Sequence, residues 1–356
     1  MMDLLKALII VSEKAANIAR ACRQNEHLFS LLIQKKKNDE ANPRFVDDFK
    51  TLADVLIQEM VKHDIKNQFQ ELSDILGEEN NTFENKLGEK ICVEIKNTEE
   101  ETSNLLETVL NGDHIAATLL AAEVHKEIHI EDIKTNLTEK FHIVLEKLGI
   151  WIDPIDCTAE YINGSEGEKI ENIYRNGLKC VTILIGVFDK ETGCPVMGVI
   201  NRPFLGTSDF GPTLPYIWGI SSQNTYINSG ISCSEEKSII CVSCSERTEI
   251  KQKLEEKGFK LIEACGAGYK ILTVILGLAD AYVLTKGTTF KWDTCAPHAI
   301  LNSLGGGMTD FHETLRNNEL SIKYFNGGNN CNVTGIIAFR RREVLKDIID
   351  TLKDFY

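Results

Sequence analysis

Trp151-Ile152-Asp153-Pro154-Ile155-Asp156-Cys157-Thr158 places two carboxylates three residues apart around a proline, with a hydroxyl two residues further on. Apolar residues lead in (Leu148, Ile150, Trp151, Ile152), so the acids fall near the end of a buried strand. Pro154 holds Ile152-Asp153 extended and stops the strand. The chain must then turn, with Asp156 able to cap the next element. Two acids and the next backbone N–H groups are thereby aimed at one place. Hard divalent cations take carboxylate oxygens, and phosphates take free N–H groups. The same octet also reads as an ordinary Asp-Pro turn with an N-cap.

Two other segments bear on that choice. Gly77-Glu78-Glu79 comes after an apolar stretch (Leu72, Ile75, Leu76). Lys291-Trp292-Asp293-Thr294-Cys295-Ala296-Pro297-His298 sets Asp293 where a helix begins, because Pro297 suits a first turn. Ala299, Ile300, Leu301 and Leu304 continue that helix, and Gly305-Gly306-Gly307 ends it.

Together the three segments resemble the signature of the lithium-sensitive, magnesium-dependent phosphomonoesterases. That superfamily includes inositol monophosphatases, bisphosphate nucleotidases and fructose-1,6-bisphosphatases. Its pattern is Asp, then Gly-Glu-Glu, then Asp-Pro-Ile-Asp-(Gly/Ser)-Thr, then Trp-Asp; here the order is Asp54, Glu78-Glu79, Asp153 to Thr158, Asp293. Val11 to Arg20, Lys50 to Leu56, Cys180 to Val187, Gly266-Ala267-Gly268-Tyr269-Lys270 and Thr288 to Asp293 are similar to the branch that acts on inositol polyphosphates. The likeness runs from about residue 4 to Arg340.

Hydrolysis of a phosphate monoester is mostly a charge problem, and two metals about 3.5–4 Å apart answer it. Glu78, Asp153, Asp156 and Asp293 supply acids from separate segments. The resemblance implies that Glu78, Asp153 and the Ile155 carbonyl hold one Mg²⁺, and that Asp153 bridges to a second on Asp156 and Asp293. A third, weaker Mg²⁺ belongs near Glu78 and Glu79, and Li⁺ inhibits by replacing a weakly held Mg²⁺. Asp54 and Thr158 are expected to position and activate the water.

The scissile phosphate is expected against Asp156 and the N–H groups of Cys157 and Thr158. Cys157 departs from the family's Gly or Ser. Backbone N–H groups do not depend on the side chain, so the thiol is not expected to be a nucleophile, but it offers sensitivity to oxidation or thiophilic metals. The resemblance assigns the inositol ring and its 4-phosphate to Gly266, Ala267, Lys270 and Thr288, with Cys244, Ser245 and Glu246 lining the same cleft. Lys291 reads equally as a phosphate contact or a surface residue. Trp292 reads as packing, and His298 as a helix residue.

The implied activity is removal of the 1-phosphate from inositol 1,4-bisphosphate and inositol 1,3,4-trisphosphate. The alternatives are a 3′(2′),5′-bisphosphate nucleotidase or a non-catalytic phosphate-binding regulator.

The 356 residues suffice for two domains with sizeable cores. A net charge of −14 without a basic stripe argues against nucleic acid. No apolar run approaches a membrane span. Eleven cysteines without framework spacing read as reduced thiols of a cytoplasmic protein, and zinc at Cys241 and Cys244 is not expected. The expected partners are small inositol phosphates, and the expected state is a monomer.

Leu4, Leu8, Val11, Ala15, Ile18 and Cys22 mark a helix over 4–22. Further helices are expected near 49–63 and 114–127, and the tract Lys35 to Glu40 as a solvated loop or an arm near the substrate. Strands follow at 181–188 and 196–201, then alternating helices and strands from 238 onward. The reading is mixed α/β, an αβαβα sandwich of the inositol monophosphatase and fructose-1,6-bisphosphatase type. It divides into an α+β domain over 1–236 with most metal ligands, and an α/β domain over 237–356 with Asp293 and the recognition segments.

Overall fold

The computed structural model describes residues 2–24, 29, 33–36, 49–85, 87–129, 144–206, 215–222, 225–232, 237–316 and 320–355. Of the Lys35 to Glu40 tract, Lys37 to Glu40 lie outside them.

The first layer is helical. α1 (Met2–Gln24) packs on α2 (Leu52–Gln68), and both lie on a six-stranded sheet. α3 (Glu99–Val109) and α4 (His114–His125) form a pair beside them, with α3 capped by Thr98 accepting from the Glu101 N–H. No helix among the described residues is long and apolar enough to cross a membrane.

Two-stranded ribbons pair β1 (Ile33–Lys35) with β2 (Phe49–Thr51), β4 (Thr82–Glu84) with β5 (Lys90–Cys92) and β7 (Lys169–Ile170) with β8 (Ile173–Tyr174). The six-stranded sheet runs β12-β11-β10-β9-β6-β3. Its strands are β3 (Asp74–Gly77), β6 (Leu148–Asp156), β9 (Thr182–Asp189), β10 (Pro195–Asn201), β11 (Tyr216–Ser222) and β12 (Thr225–Asn228). Only β3 and β6 pair in parallel; the others are antiparallel. Every residue of β6 is buried, because Ile150 and Ile152 face the helical layer while Trp151 faces the opposite side.

A second sheet has the order β14-β13-β15-β17-β16. It comprises β13 (Ile239–Val242), β14 (Lys260–Glu263), β15 (Ala281–Leu284), β16 (Gly307–Asp310) and β17 (Ile336–Phe339). β14, β13 and β15 are parallel, while β17 is antiparallel to both its neighbours. Side chains alternate between two cores, Ile240, Val242, Ala281 and Val283 facing one and Cys241, Tyr282 and Leu284 the other. α6 (Thr248–Glu256), the short α9 (Phe311–Leu315) and α10 (Arg342–Leu352) cover the outer face.

Between the sheets lie α7 (Ala267–Ile275) and α8 (Lys291–Ser303). The layers therefore follow the expected αβαβα order. The expected boundary near residue 236 falls between β12 and β13, yet α8 from the second half packs on β6, β9, β10 and β11 of the first. Three glycines make this possible. Gly186, Gly198 and Gly219 stand in one register row across β9, β10 and β11. A Cβ on Gly198 would meet the Ala296 carbonyl oxygen at 2.1 Å, and one on Gly186 the Ala296 nitrogen at 2.4 Å. The row is a trench in which the helix backbone rests directly on the sheet.

Two expectations are corrected. Pro154 does not stop β6, which continues to Asp156 with a register shift between Asp153 and Asp156 in its pairing with β9. α8 begins at Lys291, so Pro297 lies inside the helix, not in its first turn. The early start has a local cause: the Asp293 carboxylate accepts from the Phe290 N–H at 2.5 Å and caps the helix at 290.

Candidate metal centre

Asp153 and Asp156 lie at the end of β6, and Asp293 in the first turn of α8. One carboxylate oxygen from each lies within 4.8 Å of the other two. All three are buried. Oxygens sharing a Mg²⁺ at about 2.0–2.1 Å are separated by no more than about 4 Å, so small rotations suffice to bring these onto one ion.

Asp156 is held hardest. Its Oδ1 accepts from the Ala267 N–H at 3.2 Å, and its Oδ2 from Thr182 Oγ1 at 3.1 Å and the Tyr269 N–H at 3.3 Å. It therefore occupies the N-terminus of α7, the end that favours an anion. Gly268 leaves room for this contact, since a Cβ there would stand 2.9 Å from Asp156 Oδ2.

Asp54 sits in the first turn of α2. Its Oδ2 accepts from the Thr51 N–H at 2.7 Å and from Thr51 Oγ1 at 2.6 Å. Its Oδ1 is buried without a hydrogen-bond partner, and so is Asp153 Oδ1. Two orphaned acid oxygens in a carboxylate cluster fit a site made for a cation. Thr158, expected beside Asp54, donates its hydroxyl to the Ile155 carbonyl at 3.1 Å. Thr51 is thus a partner that the reading of the sequence missed, although Thr-x-x-Asp ahead of an apolar run signals a helix cap.

Glu78 and Glu79 follow β3. Gln58 on α2 clasps Glu79 through both backbone groups, accepting from its N–H at 2.9 Å and donating to its carbonyl at 2.5 Å. Gly77 is required by that clasp, because a Cβ on it would overlap the Gln58 amide at 1.9 Å. The Lys36 ammonium lies between the two acids, 2.8 Å from Glu78 Oε1 and 2.6 Å from Glu79 Oε1. Its side chain is 6% exposed, so this part of the Lys35 to Glu40 tract is interior and not solvated.

Burial raises the Asp54 carboxyl to about 7 and Glu79 to about 8, with the neighbouring Glu78 pushing the same way. Asp153 and Asp293 are driven well above the carboxylate range, again by burial first and then by each other's acidic neighbours. A carboxyl whose pKa rises on folding binds its proton more tightly in the folded state. The folded protein therefore holds more protons than the unfolded chain between the unfolded value near 4 and the folded values of about 7 to about 8. Each upward step in that window costs stability. The metal-stripped protein is expected to melt at a lower temperature at pH 8 than at pH 5, and saturating Mg²⁺ to recover most of the difference. Calorimetry at the two pH values checks this; a metal-free melting temperature that rises with pH would contradict it.

Of the segments expected to recognise the substrate, Gly266 to Lys270 forms the N-terminus of α7. Gly266 has φ 74°, in the left-handed region that favours glycine. The Ala267 N–H is committed to Asp156. Lys270 is buried, donates to the Ala264 carbonyl at 3.1 Å and lies over the Tyr282 ring. Thr288 is half-buried in the loop before α8, and Cys244 and Ser245 are exposed after β13. Glu246 turns inward, accepting from the Thr285 N–H at 2.9 Å and from its hydroxyl at 2.5 Å. Lys291 is buried and not a surface residue, and it donates to the Phe325 carbonyl at 2.6 Å. Trp292 stacks on Phe290 at 4.6 Å, and buried His298 bonds Tyr324 Oη at 3.0 Å.

Residues 85–348 match the inositol monophosphatase family. The chain is 45% identical to mouse "Inositol polyphosphate 1-phosphatase", over 99% of this chain and 97% of that protein. It is 31% identical to human "3'(2'),5'-bisphosphate nucleotidase 1" over 51% of this chain and 56% of that one. A staphylococcal inositol monophosphatase crystallised with its products shares the fold, with a TM-score of 0.56 at 14% identity over 99% of this chain and 95% of that one.

Proposed function

This chain belongs to the inositol monophosphatase family, and on that premise we propose that it is a Mg²⁺-dependent, lithium-inhibited phosphatase removing the 1-phosphate from inositol 1,4-bisphosphate and inositol 1,3,4-trisphosphate. The observation that carries the metal-dependent reading is the buried triad Asp153, Asp156 and Asp293, with acid oxygens left unpartnered on Asp153 and nearby Asp54. The full-length likeness to mouse inositol polyphosphate 1-phosphatase supports the substrate.

Glu78, Asp153 and the Ile155 carbonyl would hold one Mg²⁺, and Asp153, Asp156 and Asp293 a second. A third would meet Glu78 and Glu79, where it competes with the Lys36 ammonium. When bound, the ions lower the pKa of water and offset the charge that builds on the phosphate oxygens. Asp54, oriented by Thr51, accepts the proton of the attacking water, and Thr158 helps to place that water. The N–H groups of Cys157 and Thr158, at the start of α5 (Thr158–Asn163), face the phosphate. Gly266, Ala267, Lys270 and Thr288 shape the ring site with Cys244, Ser245 and Glu246. Among these, Lys270 and Glu246 act by fixing the loops. The working form is a cytoplasmic monomer.

Phosphate release from inositol 1,4-bisphosphate and from adenosine 3′,5′-bisphosphate, with Mg²⁺ and with or without Li⁺, tests the proposal. Activity on the nucleotide alone would favour the second reading, which the partial likeness to the nucleotidase supports. Mg²⁺ binding without turnover of either would favour a regulator.

Because the phosphate is held by backbone N–H groups, Cys157→Ser is expected to keep turnover within about tenfold, or about 1.4 kcal/mol of barrier. A larger loss would give the thiol a role in the reaction.

A further inference from the structure

β14, β13 and β15 lie side by side and parallel, so their carboxyl ends share one edge of the second sheet. From that edge the adjacent strands β13 and β14 send the chain to opposite faces, into α6 outside and α7 between the sheets. Such a reversal opens a crevice at the strand ends, where open α/β sheets take their ligands. Ser243 to Glu246 form one lip and Ala264 to Gly266 the other. Thr285 to Thr288, after β15, close the mouth, because the Thr285 N–H donates to Glu246 at 2.9 Å. The crevice adjoins the carboxylate centre, since α7 starts here with the Ala267 N–H on Asp156.

Two ammonium groups converge on the first lip. Lys251 donates to the Cys244 carbonyl at 3.0 Å, and Lys286 to the Ser245 carbonyl. The hydroxyls of Ser243 and Ser245 are bonded to each other at 3.1 Å. Lys251 is already paired with Glu263 at 2.6 Å. Half-buried Lys286 pairs with no carboxylate among the described residues. It is thus an unneutralised positive point in a chain whose net charge is −14. Lys270 and Lys291, the lysines of the neighbouring motifs, are buried and donate to the carbonyls of Ala264 and Phe325.

We propose that Lys286 is a specificity-determining cation for a non-scissile phosphate of the substrate, held at the mouth of the crevice with the Ser243 and Ser245 hydroxyls. On the premise of the proposed function, which assigns the phosphate that is cleaved, Lys286 reads the second one. A carbonyl is a neutral acceptor, and a phosphate dianion displaces it because charge-assisted hydrogen bonds are roughly twice as strong. Lys251 keeps the Cys244 carbonyl, so the lip stays in place when Lys286 leaves it.

The test compares the parent protein with Lys286→Gln and Lys286→Glu on inositol 1,4-bisphosphate in saturating Mg²⁺. The expected result is a KM raised about tenfold in Lys286→Gln and further in Lys286→Glu, with kcat little changed. Inhibition by inorganic phosphate, which has only the scissile position to fill, is unchanged. The parent KM rises with salt, and it rises less steeply in Lys286→Gln; a lysine that only braced the turn would leave that slope alone. Melting curves establish that each variant is folded. An unchanged KM in folded Lys286→Glu overturns the site, and so does an equal loss of affinity for inorganic phosphate. A parent protein that cleaves adenosine 3′,5′-bisphosphate alone overturns the inositol reading but not this one, and the KM ratio is then read on that substrate. If the parent cleaves neither, calorimetric affinity for inositol 1,4-bisphosphate decides: a weaker Lys286→Glu supports the site, and equal affinity or no binding overturns it.

Discussion

Replacing Asp153 by asparagine is expected to lower phosphate release by roughly three orders of magnitude while leaving the metal-free protein at least as stable as before. The two halves of this result have one cause. Asp153 is buried, and burial followed by the charges of Glu78, Asp156, Asp293 and Asp54 drives its carboxyl well above the usual range. In the absence of metal the upward shift favours its protonated form, and asparagine matches that neutral form in size. Little stability is therefore lost, and at higher pH the variant escapes the cost of ionising inside the cluster. With metal the balance inverts. Asp153 is the acid proposed to serve both ions, and its loss removes charge stabilisation worth several kcal/mol, at 1.36 kcal/mol per factor of ten. Melting curves without metal and turnover with saturating Mg²⁺ test the pair. A variant that loses activity because it unfolds would show a depressed melting temperature, and one retaining a tenth of the parent rate would remove Asp153 from the centre.

Gly198→Ala is expected to be nearly as damaging from a position with no polar atom near the chemistry. The new methyl would stand 2.1 Å from the Ala296 carbonyl oxygen and 2.8 Å from its Cα, contacts that only a shift of α8 can relieve. Asp293 lies one turn earlier on that helix and moves with it. Overpacking of this kind costs about 1–3 kcal/mol, and a displacement of about 1 Å at a reacting centre costs about a hundredfold in rate. Gly186→Ala should behave alike. Gly219→Ala should be milder, because its closest neighbour at 2.6 Å is the Ser303 hydroxyl, which can rotate away. Three alanine variants of equal, near-normal turnover would show that the trench does not set the position of Asp293.

The acids of the centre were legible because each belongs to a motif whose spacing carries its own local geometry. The octet at 151–158, Gly-Glu-Glu at 77–79 and Trp-Asp at 292–293 converge in space as the resemblance implied. The residues that hold these acids were less visible. Thr51 could be found from its cap spacing to Asp54, but Gln58 and Thr182 reach their acids through tertiary packing alone. Lys36 lies in a polar tract whose composition reads as solvated, and only the fold reveals that its ammonium meets two glutamates. The glycine trench left no trace in sequence either. Gly186, Gly198 and Gly219 are far apart along the chain, and become a row only once strand register is known. The start of α8 was misplaced because Pro297 outweighed the cap made by Asp293.

The trench also has a bearing on how the chain is made. Its six-stranded sheet is complete once Asn228 has been synthesised, but the helix that seals it ends at Ser303. At roughly 5–20 residues per second, a ribosome takes about 4–15 s to cover that interval. Throughout it, Ile200, Ile217 and the bare backbone of three glycines lack their lid. The nascent first half is thus exposed to wrong partners at the very face that later seats Asp293. Completion of the buried carboxylate triad and closure of that surface are one late event in biosynthesis.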